Sequence, residues 1–286
     1  MAIDFDKLIN WRFAEQRHEF TRRDTILYAL GIGLGVPACN RDQLSFLYEE
    51  GLRSLPTMAA VLGYRGFWMK DPATGIDWRR VLHGEQAITL YKPLPVEGIV
   101  VSRVRVSALI DKGREKGAIL AVERQLSELD GDLLATIGQV SLLRGDGGFG
   151  RSSGSLAPLQ RVPERQPDIL IDLPTSDRAA LIYRLSGDYN PLHIDPDIAA
   201  EAGFPRPILH GLCTFGVVGH ALLKGCLNYE VSRLRSLRGR FTAAVYPGDT
   251  IRTELWKEST GFVSIRARAV ERDVVVFDQG CAESVR

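Results

Sequence analysis

A stretch at residues 144–165, RGDGGFGRSSGSLAPLQRVPER, replaces periodic apolar residues with glycine, serine, proline and charge. It reads as the join between two units, and it limits the fold more than any other feature because the text on either side runs in the same order. Ahead of it, helical spacing over residues 21–34 and 42–52 precedes alternating, β-branched runs at 98–110, 116–129 and 133–143. Beyond it, helical text again comes first, and strands are predicted over 241–246, 250–258, 261–271 and 274–282. Helices followed by antiparallel-type strands, twice over, indicate an α+β fold with a sheet wrapped round one long helix rather than a doubly wound parallel sheet. The chain accordingly divides into an N-terminal repeat (1–148), a linker (149–165) and a C-terminal repeat (166–286).

Two local matches support a duplication: VLHG at 81–84 against ILHG at 208–211, and PVEG at 95–98 against VYPG at 245–248. Superposing the two His-Gly pairs places the counterpart of residues 188–193 at 61–66, VLGYRG, which holds neither an acid nor a histidine. The N-terminal repeat is therefore expected to be non-catalytic. It is also expected to lack a long helix after its His-Gly pair, because Pro93 and Pro95 follow closely and would interrupt one.

Bulk properties exclude several classes of function. With 36 basic residues against 35 acidic ones, the chain has no general field to draw nucleic acid or an anionic membrane. No apolar run approaches the roughly 20 residues of a membrane span. Cys39, Cys213, Cys226 and Cys281 form no CxxC pair, so neither a zinc ribbon nor a disulfide framework is indicated, and a reducing, cytoplasmic setting is expected. The opening residues carry early acids and no signal-type apolar core, and the last three, Ser-Val-Arg, do not read as a Ser-Lys-Leu address.

The segment YRLSGDYNPLH, residues 183–193, is where chemistry concentrates. Ser176 is a candidate cap for a helix over 177–186 and Gly187 a left-handed stop, while Asp195-Pro196 opens a short helix ending at Gly203. Asp188 and His193 thus fall on a turn between helices, where two side chains can converge on one point and hold, deprotonate and reprotonate a water. The alternative is structural, with Asp188 capping the turn and His193 a satisfied loop histidine. Residues 211–224 are apolar enough for a helix buried all round, and the first N–H groups of such a helix are unsatisfied and at the positive end of its dipole. Gly211 lets a carbonyl oxygen approach there unobstructed; a purely steric need for glycine in a tight turn is the plainer explanation. Arg233, Arg235, Arg238 and Arg240 fall within eight residues and are candidates for a polyphosphate, or simply a solvated basic face.

These motifs carry a family resemblance. YRLSGDYNPLHIDPD, followed by AGF at 202–204 and PILHGLCTFG at 207–216, resembles the hydratase-2 signature of the MaoC-like dehydratases. VLHGEQ, LYKPLP, VYPG and LWKE at 81–86, 90–95, 245–248 and 255–258 are similar to the two-domain, peroxisomal type of hydratase-2 module, so the likeness spans nearly the whole chain. The resemblance implies a tandem hot-dog fold and (R)-specific hydration of trans-2-enoyl-CoA to (3R)-hydroxyacyl-CoA, with no metal or redox cofactor, coenzyme A being part of the substrate. It implies Asp188 and His193 as the catalytic pair, Asn190 as a loop-fixing member of the site, and the Gly211 N–H as the thioester-oxygen donor, one such donor being worth about 3 kcal/mol of barrier. Arg238, Arg240, Tyr183 and His210 are the substrate-side candidates. Space left by a missing helix in the N-terminal repeat would hold a bulky acyl tail.

Asp188, His193, Asp195 and His210 have metal-ligating side chains but no recognised ligand spacing. GIGLG at 31–35 is not GxGxxG and lies in helical text, and no GxSxG elbow occurs. Glu49 is read as a structural ion pair or hydrogen-bond partner, Tyr183 as a support for the loop or equally as a packing residue, and His220 as a satisfied core histidine. Rival functions are dehydration of an acyl-carrier-protein substrate and a silent acyl-CoA-binding subunit; a hot-dog thioesterase is disfavoured because residues 211–224 hold no acid. A homodimer is expected from the exposed edges of such sheets.

Overall fold

The computed structural model describes residues 3–285. The chain runs α1 (Phe5–Ile9), β1 (Gln16–Phe20), α2 (Arg22–Gly31) and α3 (Arg41–Leu44), then short 3-10 turns, the first over Pro56–Ala60, before β2 (Val81–Leu90), β3 (Gly98–Asp111), β4 (Ala118–Glu128) and β5 (Leu133–Leu143). A two-residue β6 (Ser152–Ser153) lies in the connecting stretch. The second half comprises β7 (Ile169–Pro174), α4 (Ala179–Tyr183), α5 (Pro196–Glu201), α6 (Gly211–Cys226), β8 (Leu234–Phe241), β9 (Thr250–Ser259), β10 (Phe262–Ala269) and β11 (Val274–Ser284).

The ten main strands form one antiparallel sheet in the order β1-β3-β4-β5-β2-β8-β11-β10-β9-β7, with β6 beside β3. The order reads the same from either end once β2 is matched to β8, β3 to β9 and β1 to β7. This is the mark of two like units joined edge to edge through β2 and β8, whose register pairs Glu85 with Arg240 and Ile88 with Leu237. Within the second unit α6 is the buried helix: every residue from Leu212 to Leu223 is buried, which is why its sequence is apolar all round. Gly219 allows a close approach to the N-terminal unit, because a Cβ there would stand 2.5 Å from Thr57 Cγ2 in the Pro56–Ala60 turn.

Strand order corrects part of the repeat alignment. PVEG and VYPG do correspond, since both lead into matched strands and both end in a left-handed glycine, Gly98 at φ 139° and Gly248 at φ 95°. The His-Gly pairs do not: His83 and Gly84 lie inside strand β2, whereas His210 and Gly211 start helix α6. The loop after α2, which follows β1 as α4 follows β7, is the true counterpart of residues 188–193, at about residues 31–40 rather than 61–66. That stretch, GIGLGVPACN, likewise contains no acid or histidine. The central helix of the first unit is reduced to the Pro56–Ala60 turn.

Two local expectations also change. The helix expected over 42–52 stops at Leu44, the chain then turning through Gly51 at φ 68°. The strand expected at 241–246 ends at Phe241; beyond it Thr242 still donates to Val276 O, but Val245 O instead accepts from Leu209, tying this segment to the start of α6.

Candidate active site

Local sequence places the key turn. Ser176 Oγ accepts from Arg178 N, α4 continues into a 3-10 turn at Arg184–Ser186, and Gly187 ends it at φ 111°. The next turn, Pro191–His193, has proline at its first position and Asn190 as its cap, the Asn190 side-chain oxygen accepting from Leu192 N at 3.3 Å. Asp188 Oδ1 accepts from Asn190 N at 3.2 Å. Asp195 is occupied elsewhere: it caps α5 by accepting from the N–H groups of Asp197 and Ile198, which removes it from the cluster of candidate ligands.

His193 is buried, and its Nδ1 lies 2.9 Å from Ile208 O. A carbonyl only accepts, so Nδ1 carries the proton and the neutral ring keeps its lone pair on Nε2. His210 Nε2 is 3.1 Å from Asp188 O and donates to it by the same logic, leaving Nδ1 buried without a partner. The two imidazoles stack with centroids 3.7 Å apart, and Tyr183 packs against His210 with centroids 5.1 Å apart. Burial lowers His193 below the ordinary histidine value against the pull of Asp188 and of the Ile208 carbonyl. His210 is pushed down to about 3 by burial and by the His193 charge. Both rings are therefore neutral at physiological pH.

Side-chain ligand atoms of Asp188, His193 and His210 all lie within 4.8 Å of one another. The stacking suits proton transfer better than a metal. In-plane lone pairs of two rings only 29° from parallel run side by side instead of meeting at the about 2.0–2.1 Å that a metal–imidazole bond needs.

Asp188, Asn190, His193 and Gly211 line one cleft of about 330 Å³, with Phe204, Leu212, Phe241 and Val245 supplying apolar wall. Among the described residues the Gly211 N–H has no acceptor, and His210 offers α6 no side-chain cap. Gly211 has no positive φ, and a Cβ there would meet only the Phe241 ring at 3.6 Å, an ordinary contact. The fold therefore does not itself require glycine; what the missing side chain leaves open is the approach to an unsatisfied donor at the positive end of a long helix.

The opposite wall comes from the N-terminal unit: Tyr64, His83, Gln139 and Ser141. Sequence reading missed these as site residues. A bulge at Gly84 shifts the β2–β5 register, so that His83 pairs with Ser141 and Gln86 with Gln139 on the inner face. Polar residues at the inward positions 139 and 141, continuing the apolar pair Ala135 and Ile137, were the available signal. His83 packs edge-on to Phe241, its Nε2 buried and unpartnered, and burial holds it down to about 4. Burial and the nearby Asp188 raise the Tyr64 phenol.

The arginine cluster does not gather at this cleft. Phe241 points into it, so by strand alternation Arg240 points the other way, where it pairs with Glu85 at 2.7 Å. Arg238 Nε donates to Cys281 Sγ on the same outer face, Arg235 to Tyr91 O and Arg233 to Val285 O. Glu49 is exposed, and among the described residues it forms no hydrogen bond or ion pair, contrary to the structural role expected. Tyr183 is fully buried against Tyr28 and His210, a supporting place behind the site. His220 donates to or accepts from Tyr229 Oη at 2.9 Å, but its Nδ1 has no partner, so it is only half satisfied.

Residues 158–278 match the family described as MaoC like domain, and residues 18–145 match the MFE-2 hydratase 2 N-terminal domain. The chain is 39% identical over 289 residues to the peroxisomal enoyl-CoA hydratase 2 of Arabidopsis thaliana, covering 95% of this chain and 93% of that protein. The chain belongs to the MaoC-like, hydratase-2 family. It is also 39% identical over 277 residues to 3-hydroxyacyl-thioester dehydratase Y of Mycobacterium tuberculosis, covering 93% of each. The crystal structure of a MaoC-like dehydratase from Phytophthora capsici superposes with a TM-score of 0.88 at 35% identity, covering 99% of both chains. The fold of this MaoC-like chain is accordingly the tandem hot dog, α+β, with the sheet wrapped round α6. No helix among the described residues is long and apolar enough to cross a membrane.

Proposed function

We propose that the chain hydrates trans-2-enoyl-CoA to (3R)-hydroxyacyl-CoA and catalyses the reverse dehydration. The observation that carries this reading is the convergence, in one largely apolar cleft, of a carboxylate, a neutral imidazole and an unsatisfied helix N–H. The relatives named for enoyl-CoA hydration and 3-hydroxyacyl-thioester dehydration support it.

In this mechanism a water is held between the Asp188 carboxylate and His193 Nε2. The imidazole takes a proton as the water oxygen bonds to C3. The π electrons of the C2=C3 bond move toward the thioester, whose oxygen gains charge against the Gly211 N–H. The acid–base pair then returns a proton to C2, so one water is consumed and nothing is oxidised or reduced. Asn190 holds the turn that presents both groups, and His210 positions Asp188 through its carbonyl. The N-terminal unit supplies the far wall of the cleft and no acid–base pair. No cofactor enters these steps.

The same reading takes the protein as a homodimer in a reducing, cytoplasmic setting. It is supported by the open outer edges of β1 and β7 and by the free state of all four cysteines. Light scattering should return twice 31.7 kDa. The activity is tested by loss of the conjugated enoyl-thioester absorbance, with the product resolved chirally. The (3R) alcohol is expected; a (3S) alcohol, or release of free coenzyme A, would overturn the assignment.

A further inference from the structure

A second, smaller cavity of about 40 Å³ adjoins the cleft and shares Tyr64 and Gln139 with it. It lies against the inner face of the N-terminal sheet, with Val104, Val122 and Ile137 in its wall, where the other unit packs α6. The reduction of the central helix to the Pro56–Ala60 turn leaves this room.

The cavity does not end in apolar surface. Arg124, on β4, lines it and is only 8% exposed. Its Nη2 donates to Ala59 O and Ala60 O at 3.3 and 2.6 Å, while its buried Nε has no partner. Among the described residues it forms no ion pair, and its guanidinium lies 6.0 Å from the centre of the Tyr64 ring. Burial lowers it to about 10, so it stays charged at neutral pH. Arg65 lines the same cavity, with Nε and Nη2 shielded and unpartnered and its guanidinium 5.9 Å over Phe13. Gln86, 2% exposed, completes a polar end.

A guanidinium taken out of water without an anion is an unfavourable arrangement, and two turn carbonyls satisfy only one of its nitrogens. The Nε–H that remains is a charge-assisted donor, and an anion such as a carboxylate supplies the acceptor and the countercharge it lacks. The cavity has space for a group of that size at the end of a chain whose thioester lies at Gly211.

We propose that the preferred substrates are enoyl-CoA esters whose acyl chain ends in a carboxylate, received by Arg124 and Arg65 in the cavity beside the reaction cleft. This rests on the hydratase reading and adds to it the chemistry of the distal end.

The test compares kcat/KM for methyl-ended and ω-carboxylated trans-2-enoyl-CoA esters over a series of matched lengths. Wild-type protein should favour the carboxylated ester at its best length by about tenfold or more. Arg124→Gln should remove that preference while turnover of the methyl-ended ester persists, and Arg65→Gln should reduce it. The second variant keeps the test decisive should Arg124→Gln fail to fold, because Arg65 is only half-buried and, among the described residues, hydrogen-bonds no backbone carbonyl. A merely structural arginine would lower both substrates together and leave their ratio unchanged. A wild-type preference for methyl-ended esters at every length, or a ratio that neither variant alters, overturns the proposal while leaving hydration intact. Absence of turnover on either series would instead overturn the hydratase reading.

Discussion

The imidazole of His193 lies face to face with that of His210, 3.7 Å between centroids, and each ring commits one nitrogen to a backbone carbonyl. The carbonyls belong to Ile208, just ahead of α6, and to Asp188, in the catalytic turn. Each histidine is thus tied to the segment that carries the other, which couples the acid–base turn to the helix start that supplies the N–H donor. Burial lowers both rings, and the neighbouring His193 lowers His210 further.

A consequence is a displaced acid limb. The neutral imidazole is the base, and the folded value of His193 lies below 6.5, so kcat/KM should hold through neutrality and its acid limb should lie below that of an ordinary histidine. Titration of the imidazole nitrogens by NMR should give a low value for His193, lower again in Asp188→Asn, where the opposing charge is gone. An ordinary value near 6.5 would show that the ring is not shielded as described.

Stability should share that direction. His210, His83 and His220 have folded values of about 3, 4 and 4, below their unfolded ones. Between about pH 6.5 and pH 4 the unfolded chain binds protons that the fold refuses, so stability is complete above that window and lost as pH falls, by at most about 1.4 kcal/mol per unit for each ring. Urea midpoints should drop on acidification, and less steeply in His220→Gln. A midpoint independent of pH across the window would contradict this.

The donor at the start of α6 can be removed without breaking the helix. Gly211 is the first helical residue, where proline is tolerated because its N–H has no helical partner, and His210 at ψ 135° already has the backbone that precedes proline. Gly211→Pro should therefore fold with little change in melting temperature and lose about 10²–10³ in kcat. Gly211→Ala keeps the N–H and should lose far less. Equal losses in the two variants would shift the effect from the hydrogen bond to crowding of the cleft.

Room in the N-terminal unit should set the acyl range. Val104 is half-buried in the wall of the smaller cavity. Val104→Trp should depress kcat/KM for long chains while short-chain esters are turned over as before. A uniform change across lengths would place the acyl tail elsewhere.

Much of this was legible in the residues. The alternating runs at 98–110, 133–143 and 274–282 became β3, β5 and β11 because period-2 patterning is direct evidence of a half-buried strand. The Asp188–His193 turn was legible through its punctuation, Gly187 and Asn190-Pro191. The bulge at Gly84 was not, since one extra residue in a ladder leaves no trace in composition, and with it went the placement of His83 on the inner face. Arg124 sits in Glu123-Arg124-Gln125, which reads as solvated surface; only its position on the inner face of a sheet that has lost its helix makes it a buried cation. The arginines at 233–240 form a cluster in sequence only: Arg240 pairs with Glu85, Arg238 with Cys281, Arg235 with Tyr91 O and Arg233 with Val285 O, partners that spacing along the chain does not reveal.

The most direct test of the account is steady-state hydration of trans-2-enoyl-CoA by wild-type protein alongside Asp188→Asn and His193→Gln, with folding checked by circular dichroism. Folded variants that lose about 10²–10⁴ in kcat, against a wild type that yields the (3R) alcohol, are predicted. Folded variants that retain wild-type turnover would contradict the assignment of Asp188 and His193 as the acid–base pair.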